Sequence, residues 1–145
     1  MNFLSSLNIS ASGLTAQRMR MNVINSNLAN MHTTRTAEGG PYVRKDVVFA
    51  ARSASTGFND ELQDQLKDGL NGVRVVGVIN DEKPPLLKYD PNHPDADGRG
   101  YVKLPNINLM EEMVNLMSAS RSYEANVTAI KATKSMATKA LEIGR

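Results

Sequence analysis

Carboxylates alternate along Asp95-Ala96-Asp97-Gly98-Arg99-Gly100 as they do at the start of a calcium loop. An EF-hand loop opening at Asp95 requires an oxygen ligand at its fifth position and a glutamate at its twelfth. Those positions hold Arg99 and Asn106, so the segment reads as an Asp/Gly turn. His32 and His93 are the candidate general bases, and neither has a second histidine or a cysteine beside it. Asp90 and Asp95 flank His93, but Pro91 and Pro94 mark that stretch as an exposed turn. Ser120-Arg121-Ser122 lacks the glycines of a nucleophile elbow, and Gly98-Arg99-Gly100 is too short to cradle a phosphate. These residues support no catalytic site, no metal and no cofactor, and no small-molecule substrate is expected.

Composition narrows the classes further. The chain has 145 residues, a usual size for one domain. Aromatics make up only 5% and tryptophan is absent, while there are 8 methionines, a balance that suits adaptable helix seams better than a thick globular core. Cysteine is absent, which excludes disulfides and thiolate metal sites. The net charge of +2 is too mild to imply nucleic-acid binding. Lys131, Lys134 and Lys139 alternate with Ala, Thr and Met without an interleaved aromatic, so they read as a solvated face and no nucleic-acid partner is expected. No apolar run reaches the ~18 residues of a membrane span. The N-terminus lacks a basic region followed by an apolar one, so a cleaved secretory signal is not expected.

The elements that carry these residues fall into three parts: residues 1–36, 37–105 and 106–145. In the first, Leu7, Leu14, Met21 and Leu28 recur every seven residues, with Leu4, Ala11, Ile24 and Met31 on the same face. About 28 residues of helix would run roughly 40 Å. Asn8 or Ser10 is placed to cap its start, and Asn27, Asn30, Thr33, Thr34 and Thr36 signal its end. The first acid is Glu38, so this end taken alone has the character of a transit peptide. Cleaving it would leave the other apolar stripe without a partner.

In the last part, Leu109, Leu116, Tyr123, Ile130 and Ala137 are spaced by seven, and Met113, Ser120, Val127, Lys134 and Leu141 follow each by four. Pro105 precedes the pattern, Asn106 or Asn108 can cap it, and Gly144 can end it. Glu111 and Glu112 at its start and Lys131, Lys134, Lys139 and Arg145 toward its end complement the helix dipole. Between the two patterns, Tyr42–Phe49 and Val73–Ile79 have the β-branched content of strands. Residues 53–72 read as a loop with one helical turn near Leu62 and Leu66. The expected fold is mainly α with a small β-containing insert, its long N- and C-terminal helices pairing as a coiled-coil-like bundle. One seam between two helices buries little, so association with other copies or relatives is expected. Ala119, Ser120, Ala125, Ala129, Ala132 and Ala137 allow close helix approach.

Two segments carry a resemblance. Ser12-Gly13-Leu14-Thr15-Ala16-Gln17-Arg18, followed by Asn25-Ser26-Asn27-Leu28-Ala29-Asn30, resembles the N-terminal signature of the flagellar rod, hook and hook-associated axial proteins. Asn115-Leu116-Met117-Ser118-Ala119-Ser120-Arg121-Ser122-Tyr123-Glu124-Ala125-Asn126-Val127 is similar to that family's C-terminal signature. Pro41–Phe49, Tyr89–Gly98, Gly100–Val102 and Pro105-Asn106 resemble the small proximal-rod subunits within it. One departure is Met31-His32-Thr33-Thr34-Arg35-Thr36 before Gly39-Gly40, where many axial proteins pass from Asn-Leu-Ala-Asn to Thr, Gly and an aromatic.

The resemblance implies a structural subunit of the basal-body rod, exported through the flagellar type III apparatus and assembled in the periplasm. Its partners would be further copies of itself, other rod proteins, the inner-membrane ring and export gate, and rod-capping or hook–basal-body adaptor components. The assembly seam would hold Leu7, Leu14, Met21, Ile24 and Leu28 on one helix. On the other it would hold Leu109, Met113, Leu116, Tyr123, Val127, Ile130 and Leu141. The motif residues would be Asn25, Ser26, Asn27, Leu28, Ala29 and Asn30, with Ser120, Arg121, Ser122, Tyr123, Ala125 and Asn126. Asn25, Asn27 and Asn30 either fix register as buried amides do or simply close the helix. The rival readings are a cytoplasmic coiled-coil adaptor and a basic-helix nucleic-acid binder.

Overall fold

The computed structural model describes residues 3–52 and 71–143. In chain order they form helix α1 (Phe3–Ala29), strands β1 (Lys45–Arg52), β2 (Gly72–Asn80), β3 (Leu86–Tyr89) and β4 (Tyr101–Leu104), and helix α2 (Leu109–Ile143). Two long helices thus enclose a small strand-containing insert, as the periodicity requires. The helical turn expected near Leu62 and Leu66, and the stop expected at Gly144, lie outside the described residues.

Local chemistry sets the helix ends. α1 begins at Phe3, so Asn8 and Ser10 lie inside it and do not cap it. Leu4 and Leu7 already follow the helical spacing, and no glycine or proline interrupts them. α1 closes at Ala29, where Asn30 Nδ2 donates to the Ser26 carbonyl at 2.9 Å and the Asn30 amide donates to the same oxygen at 3.1 Å. The chain then reverses: Tyr42 N donates to Thr33 O at 3.1 Å and Thr36 N to Gly40 O at 2.9 Å. Gly39 and Gly40 hold φ of +87° and +79°, a conformation that glycine adopts at little cost.

Of the two candidate caps of α2, Asn108 does the work. Its Oδ1 accepts from Met110 N at 3.0 Å and its carbonyl from Glu112 N at 3.0 Å. Asn106 instead donates to the Pro84 carbonyl at 3.2 Å. The last turn of α2 carries no basic residue; Lys139, immediately before it, pairs with Glu142 at 2.7 Å.

The strands form two separate two-stranded sheets, β1 with β2 and β3 with β4. The β3–β4 hairpin is antiparallel, with Leu86 opposite Leu104, Leu87 opposite Lys103, Lys88 opposite Val102 and Tyr89 opposite Tyr101. The Tyr89 and Tyr101 rings meet edge to face at 5.3 Å between centroids. This hairpin was not expected from the sequence.

The chain divides into two compact units, and both long helices supply residues to each. The first unit takes Met1–Met19, Val48–Gly77 and Ala119–Arg145. In it Ala16 and Ala119 are buried, and a Cβ built on Gly13 would lie 3.0 Å from Asn126 Nδ2, so α1 and α2 approach closely there. Ser12 Oγ donates to Ile9 O at 2.7 Å and accepts from Val73 N at 3.0 Å, tying β2 to α1. The second unit takes Arg20–Val47 and Val78–Ser118, with Ile24, Val47 and Val102 buried. Its two largest fully buried side chains are polar: Asn27 and Glu112.

Candidate functional site

In the second unit a polar cluster joins α1, the entry to β1 and the first turn of α2. Asn27 sits on α1 and is 1% exposed. Its Nδ2 donates to Lys45 O at 2.8 Å and its Oδ1 accepts from Lys45 N at 3.0 Å, so the amide serves the backbone of Lys45 as a neighbouring strand would. The same Nδ2 reaches Glu112 Oε2 at 3.3 Å, and Tyr42 Oη donates to Asn27 Oδ1 at 3.1 Å. Ser26 Oγ lies 3.2 Å from the Tyr42 hydroxyl.

Glu112, also 1% exposed, is held on its other oxygen by Arg44: Nε and Nη2 each reach Oε1 at 2.8 Å. Arg44 Nη1 lies 3.5 Å from Asp46 and 3.6 Å from Asp81. Burial works against the guanidinium charge, but the hydrogen bond and charge of Glu112, with Asp46 and Asp81, outweigh it and raise the Arg44 pKa above its ordinary value. A carboxylate held this way is a structural anchor: both its oxygens are occupied and it has no access to solvent. Beside the cluster opens a cleft of about 640 Å³ walled by Arg20, Val23, Ile24, Asp81, Glu111 and Asn115 among others.

The chemistry-bearing turn is equally occupied with its own backbone. Asp97 Oδ1 accepts from Tyr101 N and Arg99 N, each at 2.9 Å, and these bonds hold its carboxyl below the ordinary value of 3.8. His93 Nδ1 accepts from Asp95 N at 3.1 Å, and Thr34 Oγ1 donates to Asp95 Oδ2 at 2.8 Å. Among the described residues no three histidine, cysteine or acidic side chains gather as metal ligands.

The residues expected at the seam are placed unevenly. Ile24 is buried; Leu7, Leu14, Met21, Leu28, Leu116, Tyr123, Val127 and Ile130 are half-buried; Leu109, Met113 and Leu141 are exposed. Of the motif residues, Asn27 is buried, and Asn30, Ser120, Ser122, Tyr123 and Asn126 are half-buried with Leu28. Asn25, Ser26, Ala29, Arg121 and Ala125 are exposed. Leu109, Met110, Met113, Val114 and Met117 form an apolar strip on the first half of α2, each between 42% and 71% exposed.

Sequence reasoning missed Arg44 and Glu112. For Glu112 a signal existed: it lies three residues after Leu109 and four before Leu116, on the apolar face. For Arg44, inside a strand-like run, there was none.

Residues 7–35 match the family described as flagella basal body rod protein, and residues 99–143 match the family described as flagellar basal body rod FlgEFG protein C-terminal. The chain is 49% identical to the flagellar basal-body rod protein FlgC of Borreliella burgdorferi, over 99% of this chain and 98% of that one. It is 49% identical to the protein of the same description from Bacillus subtilis and 45% identical to that from Escherichia coli, with both chains covered in full in each case.

Proposed function

The chain belongs to the flagellar basal-body rod protein family and is a structural subunit of the rod, not an enzyme, and we propose that it polymerises through its terminal helices into the drive shaft that carries motor torque to the hook. The observation that carries this reading is the exposed apolar strip Leu109, Met110, Met113, Val114 and Met117. Apolar surface of that continuity on a helix marks an interface. With Leu7, Leu14, Met21, Ile24, Leu28, Leu116, Tyr123, Val127, Ile130 and Leu141 it makes up the assembly seam.

A drive shaft must resist twist and bending. Packed helices resist both because close-packed interiors compress little. A contact between different faces of successive copies repeats without closing, which makes a filament. In this reading residues 1–36 and 106–145 form the axial layers and residues 37–105 an outer insert. The subunit stands in the periplasm after type III export. It meets other rod proteins, the inner-membrane ring with its export gate, and rod-capping or hook–basal-body adaptor components.

Mass spectrometry of purified basal bodies tests the placement. The chain is expected there in fixed stoichiometry to the other rod proteins. Its absence, with the chain left in the soluble cytoplasm, would return the reading to a coiled-coil adaptor.

A further inference from the structure

The apolar repeats do not fix how far one helix slides along the other. Leu7, Leu14, Met21 and Leu28 recur every seven residues on α1, and Leu109, Leu116, Tyr123, Ile130 and Ala137 every seven on α2. The buried positions of α2, Glu112, Ala119 and Thr133, are themselves separated by multiples of seven, so a slide by seven residues keeps the same face of α2 inward and the periodicity alone does not choose between the alignments.

The polar cluster does discriminate. In the second unit Asn27 of α1 meets Glu112 of α2 at 3.3 Å, and Arg44 reaches the same carboxylate at 2.8 Å. One heptad to either side of Glu112 stand Pro105 and Ala119, neither of which offers a carboxylate. In a slid alignment Arg44 would lose Glu112, and Glu112 would leave Asn27 and Arg44 behind. A buried amide or charge stripped of its partners is strongly unfavourable, whereas the satisfied cluster contributes little more than a well-packed apolar one. Such groups select between alignments more than they add stability.

We propose that the Asn27–Arg44–Glu112 cluster is the register determinant of the α1–α2 pair, selecting one alignment among those the apolar repeats accept. The three are positioning residues: they act through the placement of the helices. A slide of one heptad moves a helix by about 10 Å. It would carry the exposed strip of α2 with it, and copies differing in register could not repeat one contact. That consequence for the rod rests on the function proposed above. The register itself does not, and is read on the chain in solution.

The chain contains no cysteine, so introduced pairs report alignment without background. Val23 and Asn115 line one cleft, and Val23→Cys with Asn115→Cys reports the observed alignment. Val23→Cys with Ser122→Cys, or with Asn108→Cys, reports alignments slid by seven residues in either direction. With a short bis-maleimide, the full chain carrying the natural cluster is expected to cross-link the first pair about tenfold or more in preference to the others.

When Asn27→Leu, Arg44→Met and Glu112→Leu are combined, helix content is expected to persist and that preference to fall to within about threefold. A second variant remains informative if that one unfolds: Glu112→Ala with Ala119→Glu moves the carboxylate one heptad, and the Ser122→Cys pair is expected to rise with it. Three results overturn the proposal. They are no preference in the natural background, full preference retained in the helical apolar variant, and a moved carboxylate that leaves the observed pair dominant.

Discussion

Arg44 and Glu112 form an unequal pair, and their truncations should differ. Glu112 is buried to 1% exposure, while the Arg44 side chain keeps 18% and has Asp46 and Asp81 beside it. Arg44→Ala leaves an uncompensated buried carboxylate, which costs about 3–5 kcal/mol. Glu112→Ala leaves a cation with other acidic neighbours and some access to water, and should cost clearly less. Urea unfolding of both variants checks the order; equal losses would mean that Arg44 stabilises by packing and not by charge. Asp97 supplies a pH dependence. Its carboxyl is held low by the Tyr101 and Arg99 amides, so the stabilisation is present above the ordinary value of 3.8 and is lost as pH falls through the lower folded one. An NMR titration should place the Asp97 midpoint below that ordinary value, with the Tyr101 amide shifting in step, and Asp97→Asn should abolish the step. At this scale the sequence was partly legible. The Asp/Gly turn and the Asn108 cap follow from side chains that bond their own backbone within a few residues. The partnership of Arg44 with Glu112 spans 68 positions, and no local pattern encodes it.

The helices were the readable elements because a stripe repeated over 27 and 35 residues outweighs any local irregularity. The β3–β4 hairpin was not readable. Each of its strands has four residues, and every residue of β3 is exposed, so no alternation betrays a buried face. Gly13 stands inside α1, where a glycine costs about 1 kcal/mol relative to alanine. The contact explains its presence: a Cβ at that position would meet Asn126 Nδ2 at 3.0 Å and Oδ1 at 3.2 Å, and that amide is tethered to the Ser122 carbonyl at 3.0 Å. Gly13→Ala should therefore fail to deliver the usual gain of about 1 kcal/mol. It should recover the gain when combined with Asn126→Ala, which opens the space. Thermal unfolding of the two single variants and the double variant gives the coupling; strict additivity would remove the steric account.

For the whole molecule, stability and assembly should separate at the exposed strip of α2. Met113 is 46% and Met117 54% exposed, so replacing them by aspartate removes little buried surface. Each change should alter unfolding by no more than about 0.5 kcal/mol, the range for surface positions. The same charges on an interface would face apolar side chains of a neighbouring copy, where a carboxylate without a partner is strongly disfavoured. Met113→Asp and Met117→Asp are thus expected to fold normally and to be depleted from basal bodies, with swimming lost. Leu116 is half-buried, so Leu116→Asp should both destabilise α2 and block rod assembly. That mixed effect makes it the weaker discriminator, and the methionine changes are the decisive ones. Wild-type amounts of Met113→Asp in the rod, with normal motility, would mean that this strip faces solvent in the assembled shaft. The seam would then have to lie further along α2, toward Tyr123 and Ile130.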